Sequence, residues 1–274
     1  MQPVTALTIA GSDSGGGAGI QADLRTFGAF QVHGTSAITA VTAQNTLGVL
    51  SIWNCEPSLV TAQARAVLED FDVAAVKTGM LAQPSTVEAV ADLAREGVLP
   101  RLVVDPVLVS SSGHALMDEG GADAYREALL PFATVVTPNL REAAVLCGID
   151  VREISTLEDM VRVGNMILAY GPAFVLIKGG HFTEGGATHV RAPDVLVGPG
   201  DVVLYDATRI ETVNDHGTGC SLSAASAAGL GLGRSLPEAT RDAKSFVLAA
   251  LIGGASWTLG HGRGPIDHLG WNSE

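Results

Sequence analysis

Short apolar runs alternating with amphipathic stretches of helical length predict an α/β fold, a mostly parallel sheet covered on both faces. The runs at residues 6–10, 73–77, 102–107, 135–139 and 174–178 are nearly continuous in apolar residues, as strands buried on both faces are. Hydrophobic residues make up 47% of the 274-residue chain and charged residues only 16%, enough for a large core. The 33 glycines supply the many tight turns such a fold needs.

Residues 6–10 form the first strand and enter the stretch 11–19, Gly-Ser-Asp-Ser-Gly-Gly-Gly-Ala-Gly, ahead of a helix over 20–30. No Lys-Ser/Thr pair follows these glycines, which excludes a P-loop. No strand-end acid about 20 residues on supports a dinucleotide fingerprint. The loop is expected to be flexible backbone that closes on a small ligand, with Asp23 projecting from the first helical turn. Residues 35–41 predict a second strand that delivers Gln44 to its end. A carboxamide donates and accepts at once, which suits a heteroaromatic ring, and an ordinary turn amide would read the same way.

Helices are expected over 58–70 and over 84–96, the latter with Pro84 at its first position, and they flank the strand 73–77 and its Thr78-Gly79-Met80 turn. Strand 102–107 carries Asp105 near its carboxyl end, where open parallel sheets collect ligands. The stretch 110–114, Ser-Ser-Ser-Gly-His, has the composition of a mobile flap. A helix closes over 125–130, and strand 135–139 leads into another helix with Asn139 and Glu142 at i and i+3 on one face. That pair suits a hydrated magnesium ion, and it equally suits a capping box. After a helix over 157–170, Lys178 ends an apolar strand and is expected at the same edge as Asp105. Gly, Pro and Asp punctuate 182–206 and predict antiparallel edge strands at 194–197 and 202–205.

Residues 213–225, Val-Asn-Asp-His-Gly-Thr-Gly-Cys-Ser-Leu-Ser-Ala-Ala, run from glycines into an Ala-rich helix over 222–232, and a last helix spans 237–258. Gly217, Thr218 and Gly219 predict an anion hole, because the first N–H groups of a helix lack intrahelical partners and face outward with the dipole behind them. Cys220 stands where that field lowers a thiol pKa, fitting a base or nucleophile, with a plain buried cysteine as the alternative.

The formal net charge of −13 argues against a nucleic-acid partner. Three cysteines, Cys55, Cys147 and Cys220, odd in number and far apart, give neither a disulfide framework nor a zinc spacing. No run reaches the roughly 18 apolar residues of a membrane span, and no basic segment with a cleavable apolar stretch opens the chain. The expectation is one domain over 1–274, soluble and cytoplasmic, with no membrane partner.

Asp105, Asn139, Glu142, Lys178 and the 217–220 hole all fall at one sheet edge. Phosphoryl transfer needs this set: cations on the donor phosphates, backbone N–H groups on the group in flight, and a base near the acceptor hydroxyl. The stretch 10–23, Gln44-Asn45-Thr46, Val104-Asp105-Pro106-Val107, Thr137-Pro138-Asn139-Leu140-x-Glu142, Lys178-Gly179-Gly180-His181 and His216-Gly217-Thr218-Gly219-Cys220 carry a likeness. Together they resemble the hydroxymethylpyrimidine/phosphomethylpyrimidine kinases of thiamine biosynthesis, in the ribokinase superfamily, from about residue 6 to about 265.

The resemblance implies a ribokinase-like three-layer αβα sandwich and a homodimer. It implies ATP-dependent phosphorylation of 4-amino-5-hydroxymethyl-2-methylpyrimidine, then of its monophosphate. Gly11, Asp23, Gln44, Met80 and Val107 would surround the pyrimidine. Asp105, Asn139, Glu142 and Lys178 would manage Mg-ATP, with Asp105 and Glu142 on magnesium through water. Cys220, Gly217, Thr218, Gly219 and Lys178 would form the catalytic set. The chain resembles the pyrimidine kinases in having Cys220 where the broader superfamily usually has an aspartate. It departs in Asp215, where Thr is more usual, and in Ser110-Ser111-Ser112, where the flap often carries a lysine. A pyridoxal kinase of the same superfamily and a non-catalytic pyrimidine or nucleotide sensor are the alternatives. A nicotinamide-dependent oxidoreductase is disfavoured by the poor dinucleotide fingerprint.

Overall fold

The computed structural model describes residues 2–109, 116–180 and 191–272. The flap expected at 110–114 and His181 lie outside the described residues. Among the described residues, ten strands and eight α-helices are arranged as an eight-stranded sheet, a separate two-stranded sheet and helices on both faces of the larger one.

The strands of the main sheet are β1 (Thr5–Ala10), β2 (His33–Ile38), β5 (Val73–Thr78), β6 (Val103–Val104), β7 (Val135–Val136), β8 (Phe174–Lys178), β9 (Asp194–Gly198) and β10 (Asp201–Tyr205). Their order is β10-β9-β8-β7-β6-β5-β1-β2. The pairings from β2 through β8 are parallel, and β9 and β10 add antiparallel strands at one edge, as expected. Strands β6 and β7 are much shorter than the sequence suggests, because Pro106 and Pro138 follow closely and supply no ladder N–H.

Adjacent residues along each strand point to opposite faces. Leu7, Val76, Val104, Val136 and Ile177 enter one core with Val87, Val90, Met160 and Val163. Those come from α3 (Pro84–Arg95) and α6 (Leu157–Leu168), which cover that face with α2 (Pro57–Leu68), α4 (Gly121–Ala124) and α5 (Leu140–Cys147). Ala6, Ala75, Val103, Val135 and Leu176 enter the second core with Phe27, Leu222, Ala225 and Ala239. Those belong to α1 (Gly19–Ala29), α7 (Thr218–Gly231) and α8 (Leu236–Gly254). Small side chains all round α7 let it lie deep between sheet and α8, with 221–230 buried throughout. The helix expected over 125–130 is a π-turn, Tyr125–Leu129, running into a 3₁₀ turn that contains Pro131.

The single strand expected over 35–41 is two. The chain leaves β2, turns at Thr39 and continues as β3 (Ala40–Asn45), which pairs with β4 (Gly48–Asn54) in an antiparallel hairpin. Gln44 is thus a strand residue rather than a turn amide. Among the described residues no helix is long and apolar enough to cross a membrane.

Candidate active site

The carboxyl ends of β1, β5, β6, β7 and β8 face the starts of α1, α5 and α7. Two glycine loops meet there. Gly217 takes a left-handed φ of 87° as the residue capping α7, and a Cβ on it would overlap the Gly17 carbonyl. A Cβ on Gly17 would in turn overlap the His216 ring. The first loop is not the flexible backbone expected from its composition. The Asp13 carboxylate accepts from the N–H groups of Gly15, Gly17 and Ala18 at 2.8, 3.0 and 2.8 Å and so pins the loop from inside. Its pKa is lowered, although burial opposes this, because His216 and these amides favour the anion.

Asp105 and Lys178 meet as expected, with Nζ 2.7 Å from Oδ1 and the side chains 11% and 2% exposed for lysine and aspartate. A Cβ on Gly219 would stand 3.3 Å from the Lys178 Nζ, so the ammonium lies over the first turn of α7. Asn139 and Glu142 form the capping box: the Asn139 side chain accepts from Arg141 and Glu142 N–H, and Glu142 Oε2 accepts from Asn139 N–H at 2.8 Å. Burial pushes Glu142 up to about 7, with Lys178 opposing and Asp105 adding to the rise. Two buried carboxylates that repel one another form an oxygen donor set that fits a divalent cation, with water and phosphate oxygens completing the shell. Among the described residues no group of three or more His, Cys, Asp or Glu forms a metal cluster.

Met80, Ala40 and Ala82 form a small apolar cluster with Val107 packed against it, separate from both cores. A Cβ on Gly11 would overlap the Met80 methyl group. Gly11, Met80 and Val107 therefore come together as one wall, with Gln44 on the hairpin nearby, held by Ser14 through both its N–H and its carbonyl.

Asp23 does not project into the cleft. It is fully buried, its two oxygens take the Lys77 Nζ at 2.9 and 2.8 Å, and Thr8 Oγ1 donates to Oδ2 at 2.6 Å. The expectation of a side chain open to substrate is corrected on that point. Lys77 was legible: it ends an apolar strand just as Lys178 does. Burial lowers its pKa and Asp23 raises it, for a net rise, while burial raises that of Asp23 with Lys77 and Thr8 opposing.

Cys220 differs from expectation as well. It stands in the first turn of α7 with the Gly19 N–H turned to its sulfur, so the starts of α1 and α7 both reach it. Yet its pKa is pushed up to about 11. Burial is the largest cause; Lys77 opposes it, and Asp105 and Asp23 add to the rise. The helix field is present, and dehydration exceeds it. Asp215, the departure beside the hole, pairs with Arg263 from the C-terminal segment.

Comparison with known proteins agrees with this arrangement. A family model described as phosphomethylpyrimidine kinase matches residues 13–267. A hydroxymethylpyrimidine/phosphomethylpyrimidine kinase from Rhizobium meliloti is 50% identical over 266 residues, covering 96% of each chain. Among solved structures, a phosphomethylpyrimidine kinase from Clostridium difficile is 40% identical with a TM-score of 0.77, covering 90% of this chain and 99% of the other. A Staphylococcus aureus pyridoxal kinase in complex with AMP-PCP and pyridoxal is 32% identical with a TM-score of 0.87, covering 100% and 96%. With a family model matching residues 13–267, the chain belongs to the phosphomethylpyrimidine kinase family.

Proposed function

We propose that the chain transfers the γ-phosphoryl group of ATP to the hydroxyl of 4-amino-5-hydroxymethyl-2-methylpyrimidine and then phosphorylates the monophosphate to the pyrophosphate, for thiamine biosynthesis. The observation that carries this reading is the Lys178–Asp105 pair at 2.7 Å, set over the glycine start of α7. The wall and Gln44 hold the ring. Lys178 and the N–H groups of Gly217 and Gly219 hold the phosphoryl group, where fixed dipoles in a dry site stabilise the charge that develops, while the Thr218 N–H is turned to the Asp215 carbonyl at 3.3 Å. Asn139 and Glu142 order the triphosphate side of the cleft. Asp105 and Glu142 would hold Mg²⁺, which when bound neutralises charge on the phosphate oxygens.

Transfer forms a bond from the substrate hydroxyl oxygen to the γ-phosphorus and breaks the bond from that phosphorus to the oxygen of the departing ADP. In the first reaction the hydroxyl proton passes to Cys220 in its thiolate form, which a thiol pushed up to about 11 reaches only after giving its own proton to water. In the second the acceptor is a phosphate oxygen already ionised near neutral pH and brings no proton of this kind. A thiol that is neutral when free does not repel that phosphate, which an aspartate in its place would do. The reading places the enzyme in the cytoplasm as a homodimer, which the exposed Leu50 and Trp53 on the β3–β4 hairpin support.

A coupled ADP-release assay with the pyrimidine alcohol, its monophosphate and pyridoxal in parallel tests it. Turnover of the first two, each preferred over pyridoxal, is expected. Preference for pyridoxal would replace the reading with the pyridoxal kinase alternative, and ATP-independent binding without turnover would replace it with a sensor.

A further inference from the structure

Gln44 lies between two polar groups. Its Nε2 stands 3.2 Å from His216 Nε2 and its Oε1 stands 3.4 Å from Thr42 Oγ1, and the orientation that its neighbours require is the reverse of the placed one. Both neighbours have already committed their protons. His216 Nε2 lies 2.9 Å from Asp13 Oδ2, and a ring nitrogen that faces a carboxylate at this distance carries its proton there. Asp13 is 3% exposed and receives three backbone N–H groups besides, which keep it an acceptor. Thr42 has one hydroxyl proton and gives it to the Ser12 carbonyl at 2.8 Å.

A carboxamide has two ends of nearly equal shape, and its partners decide which is oxygen and which is nitrogen. The end near His216 faces a protonated ring nitrogen that has no lone pair to offer, so it must be the oxygen, sharing with Asp13 the one N–H. The end near Thr42 faces lone pairs and must donate. Both constraints give the same orientation, with oxygen toward His216 and NH₂ toward Thr42.

We propose that Asp13 and His216 are positioning residues that lock the Gln44 carboxamide in this one orientation, so that it offers the pocket a fixed order of acceptor and donor. An aminopyrimidine presents an exocyclic N–H beside a ring nitrogen, and an amide edge meets that pair in one orientation only. A ring with a different order of donor and acceptor gains nothing from the lock. Asp13 and His216 thus contribute to the choice of heteroaromatic alcohol without touching it. The inference rests on the proposed function in one respect, that Gln44 reads the ring.

The lock has a further structural basis. His216 is fixed from behind by the Gly17 approach and by the backbone bond of His216 N–H to the Gly264 carbonyl at 3.1 Å. The carboxylate, the imidazole and the amide come from the β1 loop, the α7 loop and the hairpin. Their joint geometry therefore reports whether three separate elements are in register.

The test pairs kinetics with spectroscopy. His216→Leu is expected to raise KM for the pyrimidine alcohol about tenfold, the scale of freeing one ordered polar side chain. It should leave kcat and the KM for ATP within about twofold, and KM for pyridoxal unchanged. His216→Gln, which keeps an N–H donor for Asp13, should recover most of the loss. An equal rise in KM for both alcohols, a fall in kcat alone, or no recovery by glutamine in a variant with wild-type melting temperature would overturn the proposal. Long-range ¹H–¹⁵N spectra of the unliganded protein supply the readout that does not depend on turnover. His216 Nε2 should be protonated, and a bare Nε2 would overturn the lock whatever the substrate proves to be. If the wild-type protein turns over only pyridoxal while Nε2 is protonated, the functional reading fails and the lock stands.

Discussion

Two lysine–aspartate pairs stand at the same edge of the sheet, Lys77 with Asp23 and Lys178 with Asp105, and they differ in access to the cleft. The first has both side chains wholly buried, while in the second the lysine keeps 11% of its surface. Lys77 gives two of its three protons to one carboxylate, whose Oδ2 also accepts from Thr8. Lys178 makes one short bond to Asp105 and lies over the glycines at the start of α7, where a phosphate oxygen can reach it. The same two residue types are a sealed strut in one place and a working cation in the other. The difference comes from what packs above the ammonium group.

Substitution should separate them. Lys77→Met leaves a buried carboxylate without its cation and is expected to lower unfolding free energy by about 3–5 kcal/mol, read from urea denaturation. Lys178→Met should lower stability by less than half as much, because water can enter beside Asp105, while kcat falls about 1,000-fold. Equal stability losses in the two variants would erase the distinction. Next in size is Cys220→Ala, expected to reduce kcat for the pyrimidine alcohol about 100-fold and to affect the monophosphate far less. Since the free thiol is pushed up to about 11, kcat/KM for the alcohol should climb with pH toward pH 10 and that for the monophosphate should not. Parallel profiles would remove Cys220 from the proton's path.

Glu142 gives a smaller effect of opposite sign in stability and activity. Its pKa is raised from 4.5 to about 7, so the native state takes up a proton that the unfolded chain does not hold between those values. Stability of the ligand-free protein should therefore fall as pH rises through that window. If Glu142 holds Mg-ATP as proposed, it must be ionised, so kcat/KM for ATP should drop about tenfold per pH unit below 7. Glu142→Gln should flatten both trends, and retention of the acid limb in that variant would assign it elsewhere. The smallest change is expected when Lys77→Met is combined with Asp23→Leu. Replacing the whole buried pair by apolar groups should restore stability to within about 1 kcal/mol of wild type.

The sequence showed the Lys178 pair and missed its twin, although the signal was the same: a lysine closing an apolar strand. Lys178 was noticed because two glycines follow it. Lys77 has its partner 54 residues away on α1, and Asp23 near a helix start reads as solvent-facing until the sheet brings Thr8 and Lys77 against it. The alternation of strand and helix, the antiparallel edge and the Asn139–Glu142 capping box were all local patterns and therefore visible. The β3–β4 hairpin was not, since residues 41–47 are polar enough to read as loop and β4 leaves Leu50 and Trp53 exposed. The glycine loop looked flexible because its composition gives no hint that Asp13 bonds back to three of its amides. For Cys220 the helix field was legible and the burial opposing it was not, because burial depends on the whole fold.

Helix α7 places Ala224, Ala225, Ala227, Ala228 and Gly229 where it is buried. Such side chains have no rotamers to choose among, so almost no conformational entropy is lost when they are enclosed and little is recovered by loosening them. The first turn of α7, which borders the cleft, is then anchored on a stretch of backbone with few internal degrees of freedom. A phosphoryl group crossing the cleft meets N–H groups that need not reorient as charge builds up. Low reorganisation at this step would be a property of what α7 lacks rather than of any group it carries.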